Sequence, residues 1–196
     1  MSRFLSVVLP AVLAAFVAAG CCTPSAIIGS QPVALEGQHT SMWCWAASGQ
    51  MTMNFLGASP AVQQCDEANK RFGRTDCCNS PTPGDCVVGG WPEYSKYGFS
   101  ADRTADTALT FAQVKDQLYC KKKPVAFTWH WDGGGGHMMV LTGYAVIGGT
   151  EYVTINNPWP WSTTGGGVQS VLLYSDYVSD PGDHTHWDDF YNITKQ

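Results

Sequence analysis

The chain has 196 residues and a formal net charge of -5, with 44% hydrophobic, 12% aromatic and 14% charged positions. That length suits one domain with a real core, and the aromatic content excludes a disordered chain. The acidic balance excludes a nucleic-acid binder, because the densest basic run, Lys121-Lys122-Lys123, is too short to neutralise a phosphate backbone.

In chain order, Arg3 and the apolar run Leu5 to Ala19 are too short for a membrane span and end in small residues. Residues 1–20 therefore read as a signal peptide that is removed. Its exit, Ala18-Ala19-Gly20-Cys21, resembles a bacterial lipobox, in which Cys21 is lipidated and becomes the new N-terminus. The mature protein is expected outside the cytoplasm, touching a membrane only through that lipid, with residues 21–37 as a polar tether and 38–196 as the working domain.

The spacing predicts a helix from about Trp43 to Leu56, capped by Ser41, with Ala47, Met51 and Phe55 on one face and Gly57 as the stop. Ser59-Pro60 opens a second helix that ends at Gly73. A loop rich in Pro, Gly and Cys follows, then a helical turn near Tyr94. Thr110 and Gln113 form a capping box for a helix through Tyr119. Beyond Lys123 the pattern turns to strands at Pro124–Trp131, His137–Val146, Tyr152–Asn156 and Val168–Tyr174, with a further one at His186–Ile193. Helices first and strands second is an α+β order.

Eight cysteines in an exported chain should mostly pair. Cys65, Cys77, Cys78 and Cys86 crowd the loop, where two bridges are expected, with Cys77 and Cys78 reaching different partners. Cys120 either pairs with Cys22 or stays free. Cys44 stands apart, at a predicted helix N-terminus whose unpaired N–H groups favour a thiolate.

A nucleophilic thiol needs a base, and the base needs an orienting group. His137 follows four glycines and begins a strand, and Asn157 ends the next one, with Asn156 adjacent as an alternative. Gln38, six residues before Cys44, is placed to offer its amide to an oxyanion, with the Cys44 N–H as second donor. Asp183-His184-Thr-His186-Trp-Asp188-Asp189 carries metal-ligand residue types, but it reads as a strand edge and no metal site is assigned.

These residues resemble a family. Gln38-His-Thr-Ser-Met-Trp-Cys44-Trp-Ala-Ala-Ser48 looks like the nucleophile segment of papain-like cysteine peptidases, and Gly-Gly-His137 running to Gly-Tyr144 looks like their histidine strand. Asn157-Pro-Trp159 keeps the spacing in which a tryptophan shields the Asn–His hydrogen bond. The Cys-Trp-Ala-Ala helix, a Gln64-Cys65 helix, the Cys-Cys loop and Gly-Gly-Trp-Pro are similar to the compact bacterial branch, the AvrRpt2-like and C39-like peptidases. The resemblance implies a papain-like fold, with a helical part carrying the nucleophile packed on a C-terminal antiparallel sheet. It also implies a cysteine endopeptidase, acting as a monomer on peptide or protein substrates through Cys44, His137 and Asn157, without a cofactor. Transamidation by the same triad, or a catalytically silent peptide-binding module, are the other functions this pattern serves. The lead Thr40-Ser41-Met42-Trp43 departs from the family's glycine- and cysteine-containing one, so the usual local disulfide is missing.

Overall fold

The computed structural model describes residues 22–160 and 166–196. The export signal and Cys21 lie outside the described residues.

Helix α1 (Cys44–Phe55) is buried on all sides from Trp45 to Met53. Small and apolar residues surround its axis instead of forming one stripe, so it becomes the central element rather than a surface helix. Gly57, at φ 84°, turns the chain away. The expected Ser41 cap is corrected: the helix starts at Cys44 and no side chain caps it. Its first N–H groups are left for the cleft described below.

Helix α2 (Gln64–Phe72) starts later than Ser59-Pro60 and stops at Gly73, φ 65°, as expected. The late start has a local cause. The Asn54 side chain accepts from the Val62 N–H at 2.7 Å and donates to the Val62 carbonyl at 3.2 Å, holding the lead-in outside the helix. The Cys65–Cys78 and Cys77–Cys86 disulfides close the loop after α2, with the vicinal pair reaching different partners. Two indoles hold that loop against α1: Trp43 Nε1 donates to the Cys86 carbonyl and Trp45 Nε1 to the Val88 carbonyl.

Glu67 of α2 is fully buried against Gly49 of α1, where a Cβ would stand 2.5 Å from its carboxylate. Burial pushes its pKa well above the ordinary carboxylate value, against the opposing pull of the Glu93 N–H and Arg71. The folded state therefore holds this proton more tightly than the unfolded chain. The resulting stability is complete below the unfolded pKa near 4.3 and is lost as pH rises through the raised folded value. Glu67→Gln, which keeps an acceptor for Glu93, is expected to flatten that decline, read as urea midpoints at pH 4.5 and 7.5; parallel declines in both proteins would show that Glu67 is not the group.

The capping box forms as predicted and opens α3 (Phe111–Lys115), which continues as a π-turn over Asp116–Cys120. The sheet comprises β2 (Phe99–Arg103), β3 (Val125–Trp131), β4 (Gly136–Ile147), β5 (Thr150–Asn157), β6 (Val168–Leu173) and β8 (His184–Lys195). It runs in the order β2-β8-β3-β4-β5-β6, all antiparallel. A short α4 (Tyr174–Val178) and β7 (Ser179–Asp180), paired with β8, fill the connection. Positive φ at Gly134 and Gly135 turns β3 into β4. Strands β3 and β4 are covered on both faces and read as near-continuous apolar runs. Helix α1 covers one face and α3 with α4 the other, which separates the core into two main clusters. This helical part packed on an antiparallel sheet is the expected α+β architecture.

Three strands went unpredicted: the two-residue β7, β2 and β1. β2 is short and polar. β1 (Ile28–Ser30) lies inside the segment read as a tether and pairs with Gly143–Ala145 of β4. Its docking is reinforced by Tyr144 Oη donating to the Ser25 carbonyl at 2.8 Å, by Gln31 Nε2 donating to the Leu118 carbonyl at 2.6 Å, and by a Cys22–Cys120 disulfide. The Cys120 alternative thus resolves in favour of Cys22. Among the described residues the one free cysteine is Cys44.

Candidate active site

A cavity of about 700 Å³ opens between the start of α1 and the start of β4. Cys44, His137, Asn157 and Gln38 all line it, together with Trp91, Trp129, Trp131, Trp159, Trp187, Met42 and Arg71. Four sequence motifs thus meet at one place.

The sheet register decides which asparagine faces the histidine. Val140 pairs with Asn156, so Asn157 stands level with Met139, two positions along β4 from His137. Side chains two positions apart share a sheet face, whereas Asn156 turns to the other one. His137 Nε2 lies 2.7 Å from Asn157 Oδ1. The Trp159 N–H donates to the same oxygen at 2.9 Å, which identifies that atom as the amide oxygen. Nε2 must then carry the proton, and Nδ1 is left as the basic nitrogen. Asn156 is fully buried and spent elsewhere, donating to the Val33 carbonyl and accepting from Gln169. The Trp159 ring lines the cleft and is 47% exposed, and the hydrogen bond from Trp159 to Asn157 is made by its backbone N–H. The Trp131 ring lies nearly parallel to the imidazole, 6.2 Å away.

Electrostatically the site differs from the thiolate expected at a helix N-terminus. Burial pushes the Cys44 thiol up, and this outweighs the Met138, Trp45 and Cys44 N–H groups that favour the sulfur anion. Burial also pushes His137 below the ordinary imidazole value, against the Asn157 hydrogen bond. Both desolvation effects favour the neutral thiol and imidazole, which desolvation always does when neither charge meets water.

Gln38 is 1% exposed. Its N–H donates to the Pro158 carbonyl at 3.0 Å, and its side-chain Nε2 donates to the Thr40 carbonyl at 2.8 Å, leaving one amide hydrogen for a ligand. Arg71 is the one permanently charged residue in the lining, and it is already paired with Glu93 at 3.0 Å. The cleft is therefore neutral and aromatic, suited to uncharged side chains.

The other candidates lie elsewhere. His184 is buried, held by Asp183 on Nδ1 and the Asp176 carbonyl on Nε2, and His186 Nδ1 meets the Tyr177 carbonyl. These are structural partners of β8 and α4. Sequence reading missed the lining tryptophans of β3 and β8 and the polar residues behind Gln38; only the alternation of Trp129 and Trp131 hinted that one face of β3 was wide and aromatic.

A family profile described as papain-like cysteine protease AvrRpt2 matches residues 27–172. Two solved structures are similar in shape. One, digestive procathepsin L 3 of Tenebrio molitor larval midgut, aligns at 14% identity and TM-score 0.49, covering 86% of this chain and 70% of that one. The other comes from a study of the mite allergens Blo t 1 and Der p 1 and aligns at 11% identity and TM-score 0.49, covering 90% of this chain and 73% of that one. No curated protein matches.

Proposed function

The chain belongs to the AvrRpt2 family of papain-like cysteine proteases, and on that premise we propose that it is an exported peptidase working through Cys44, His137 and Asn157. The observation that carries the assignment is the pairing of His137 Nε2 with an Asn157 oxygen fixed by the Trp159 N–H, in a cleft shared with the free thiol of Cys44.

Cys44 Sγ attacks the peptide carbonyl carbon while its proton passes to His137 Nδ1. The carbonyl oxygen takes the electron pair and rests between the free amide hydrogen of Gln38 and the Cys44 N–H. Collapse re-forms the carbonyl and breaks the C–N bond, with His137 protonating the leaving amine. Water, deprotonated by the same imidazole, then releases the acyl group as a carboxylic acid.

Disulfides mark the protein as non-cytoplasmic. We extend this to a signal peptide over residues 1–20 and a lipid on Cys21, with the peptidase domain comprising 38–196 and the docked β1 segment before it. Cys22, the residue after Cys21, is bridged to Cys120 at the end of the sheet away from His137.

The test is alkylation by iodoacetamide at neutral pH, mapped by peptide mass, beside hydrolysis of an unstructured protein. Cys44 is expected to label without prior reduction, labelling to slow in His137→Ala, and hydrolysis to yield free carboxylates and to vanish in Cys44→Ala. Amine-linked products would make the enzyme a transamidase; unlabelled Cys44 with intact peptide binding would make it a silent module.

A further inference from the structure

We propose that Gln64 is a positioning residue for the oxyanion site, acting on Gln38 through the backbone on either side of it. This deepens the peptidase assignment above and rests on it.

Gln64 is the first residue of α2, remote in sequence from the cleft and 1% exposed. A buried primary amide is costly unless its hydrogen bonds are met, and here each is met by something that bears on Gln38. Its Oε1 accepts the N–H of His39 at 2.9 Å, and its Nε2 donates to the carbonyl of Gly37, also at 2.9 Å. One side chain thus clamps the two peptide groups flanking Gln38. The second Nε2 hydrogen reaches Gln50 Oε1 at 2.9 Å, and Gln50 is buried on α1, the helix that begins with Cys44. That bond fixes which way the Gln64 amide points and ties the clamp to the nucleophile's own helix. On the far side the Gln38 N–H is held by the Pro158 carbonyl, next to Asn157. The clamp itself is anchored, since the next residue, Cys65, is bridged to Cys78.

The clamped stretch has little freedom to settle elsewhere. A Cβ on Gly37 would stand 2.4 Å from the Gly166 backbone, so this segment passes another main chain at a distance only glycine allows. Without Gln64, two buried peptide groups lose their partners, and relaxing to satisfy them moves Gln38. An oxyanion donor is effective only when held where charge develops, so a shift of about 1 Å is enough to be felt.

Two reagents separate positioning from mere structure. Iodoacetamide alkylation needs the Cys44 sulfur but no oxyanion site. A peptide aldehyde forms an S–C bond from Cys44 to its carbonyl carbon, the oxygen takes the π pair and then the thiol proton, and that oxygen occupies the oxyanion site. In Gln64→Met we expect aldehyde affinity and kcat to fall about 10-fold, a fraction of the loss for removing an oxyanion donor outright. Alkylation rate and KM should stay near wild type, while the urea midpoint falls because the buried peptide groups of Gly37 and His39 lose their partner. Gln64→Glu, which keeps the acceptor for His39 and loses both donors, should fall between. In a Gln38→Ala background the same substitutions should have no further effect on aldehyde affinity, because they act through Gln38.

Unchanged aldehyde affinity in Gln64→Met would overturn the proposal. So would losses that add in full to Gln38→Ala, or a loss of alkylation rate in parallel with aldehyde affinity, either of which would make Gln64 a structural residue only. If wild type itself neither alkylates nor binds the aldehyde, the peptidase assignment falls and the proposal with it.

Discussion

His137→Ala is expected to lower kcat/KM for peptide hydrolysis by about 10³-fold or more, at the upper end of what general acid–base groups contribute. The size follows from the site's neutrality. With the Cys44 thiol pushed up by burial, no standing thiolate survives removal of the base. The pH profile carries a second signature. His137 is pushed below the ordinary imidazole value, so its basic form persists into more acidic solution than a free imidazole's would. The acid limb of kcat/KM should therefore fall below about pH 6.5. In the variant, residual alkylation of Cys44 should keep rising with pH beyond about 8.5, towards the raised thiol value, whereas wild type should be level between neutrality and pH 8. An acid limb above 6.5, or a variant within tenfold of wild type, would show that the thiol is activated by something other than this imidazole.

Removing the Cys22–Cys120 bridge, as Cys22→Ser with Cys120→Ser, is expected to cost stability on the largest scale available to a single cross-link here. The half-cystines are 98 positions apart, and closing a loop of that length in the unfolded chain corresponds to about 4.7 kcal/mol. For a domain of this size that is a fall in Tm of about 10 °C. The segment it secures, through Ser25, β1 and Gln31, would be held by a three-residue strand and two side-chain hydrogen bonds. Activity at 25 °C should persist, because Cys120 leads into the start of β3 and lies at the end of the sheet opposite His137. A loss below about 1 kcal/mol in urea titration would mean that the docked segment, and not the covalent link, supplies the constraint. Lost activity in a folded variant would mean that the two ends of the sheet are coupled.

Much of the site could be read from the chain because its residues carry chemistry and stand at element boundaries. A thiol at a predicted helix start, an imidazole after four glycines at a strand start and an amide at a strand end are local features that survive without coordinates. So are the capping box of Thr110 and Gln113 and the Gly73 stop, since each depends on neighbours within one helical turn. The pairing of Cys77 and Cys78 with different partners follows similarly from the crowding of four cysteines in one short loop.

Other outcomes depended on distant groups. Ser41 did not cap α1, which starts at Cys44 without a side-chain cap, and Ser59-Pro60 did not start α2, because Asn54 of α1 bound that lead-in instead. The polar stretch before Gln38 became a docked strand only because β4 offers an open edge at Gly143–Ala145 beyond the start of β3. Asn157 rather than Asn156 faces the imidazole because of the β4–β5 register, which alternation within either strand leaves undetermined. The helix N-terminus promised a thiolate, but burial outweighs the N–H groups of Met138, Trp45 and Cys44 that favour the anion. The sequence by itself determined which chemical groups this protein carries and in what order, because composition and short-range spacing are local quantities. Which of them meet, at what depth and in which protonation state, was decided by the tertiary structure, since partner distance and exclusion of water arise only when remote segments pack.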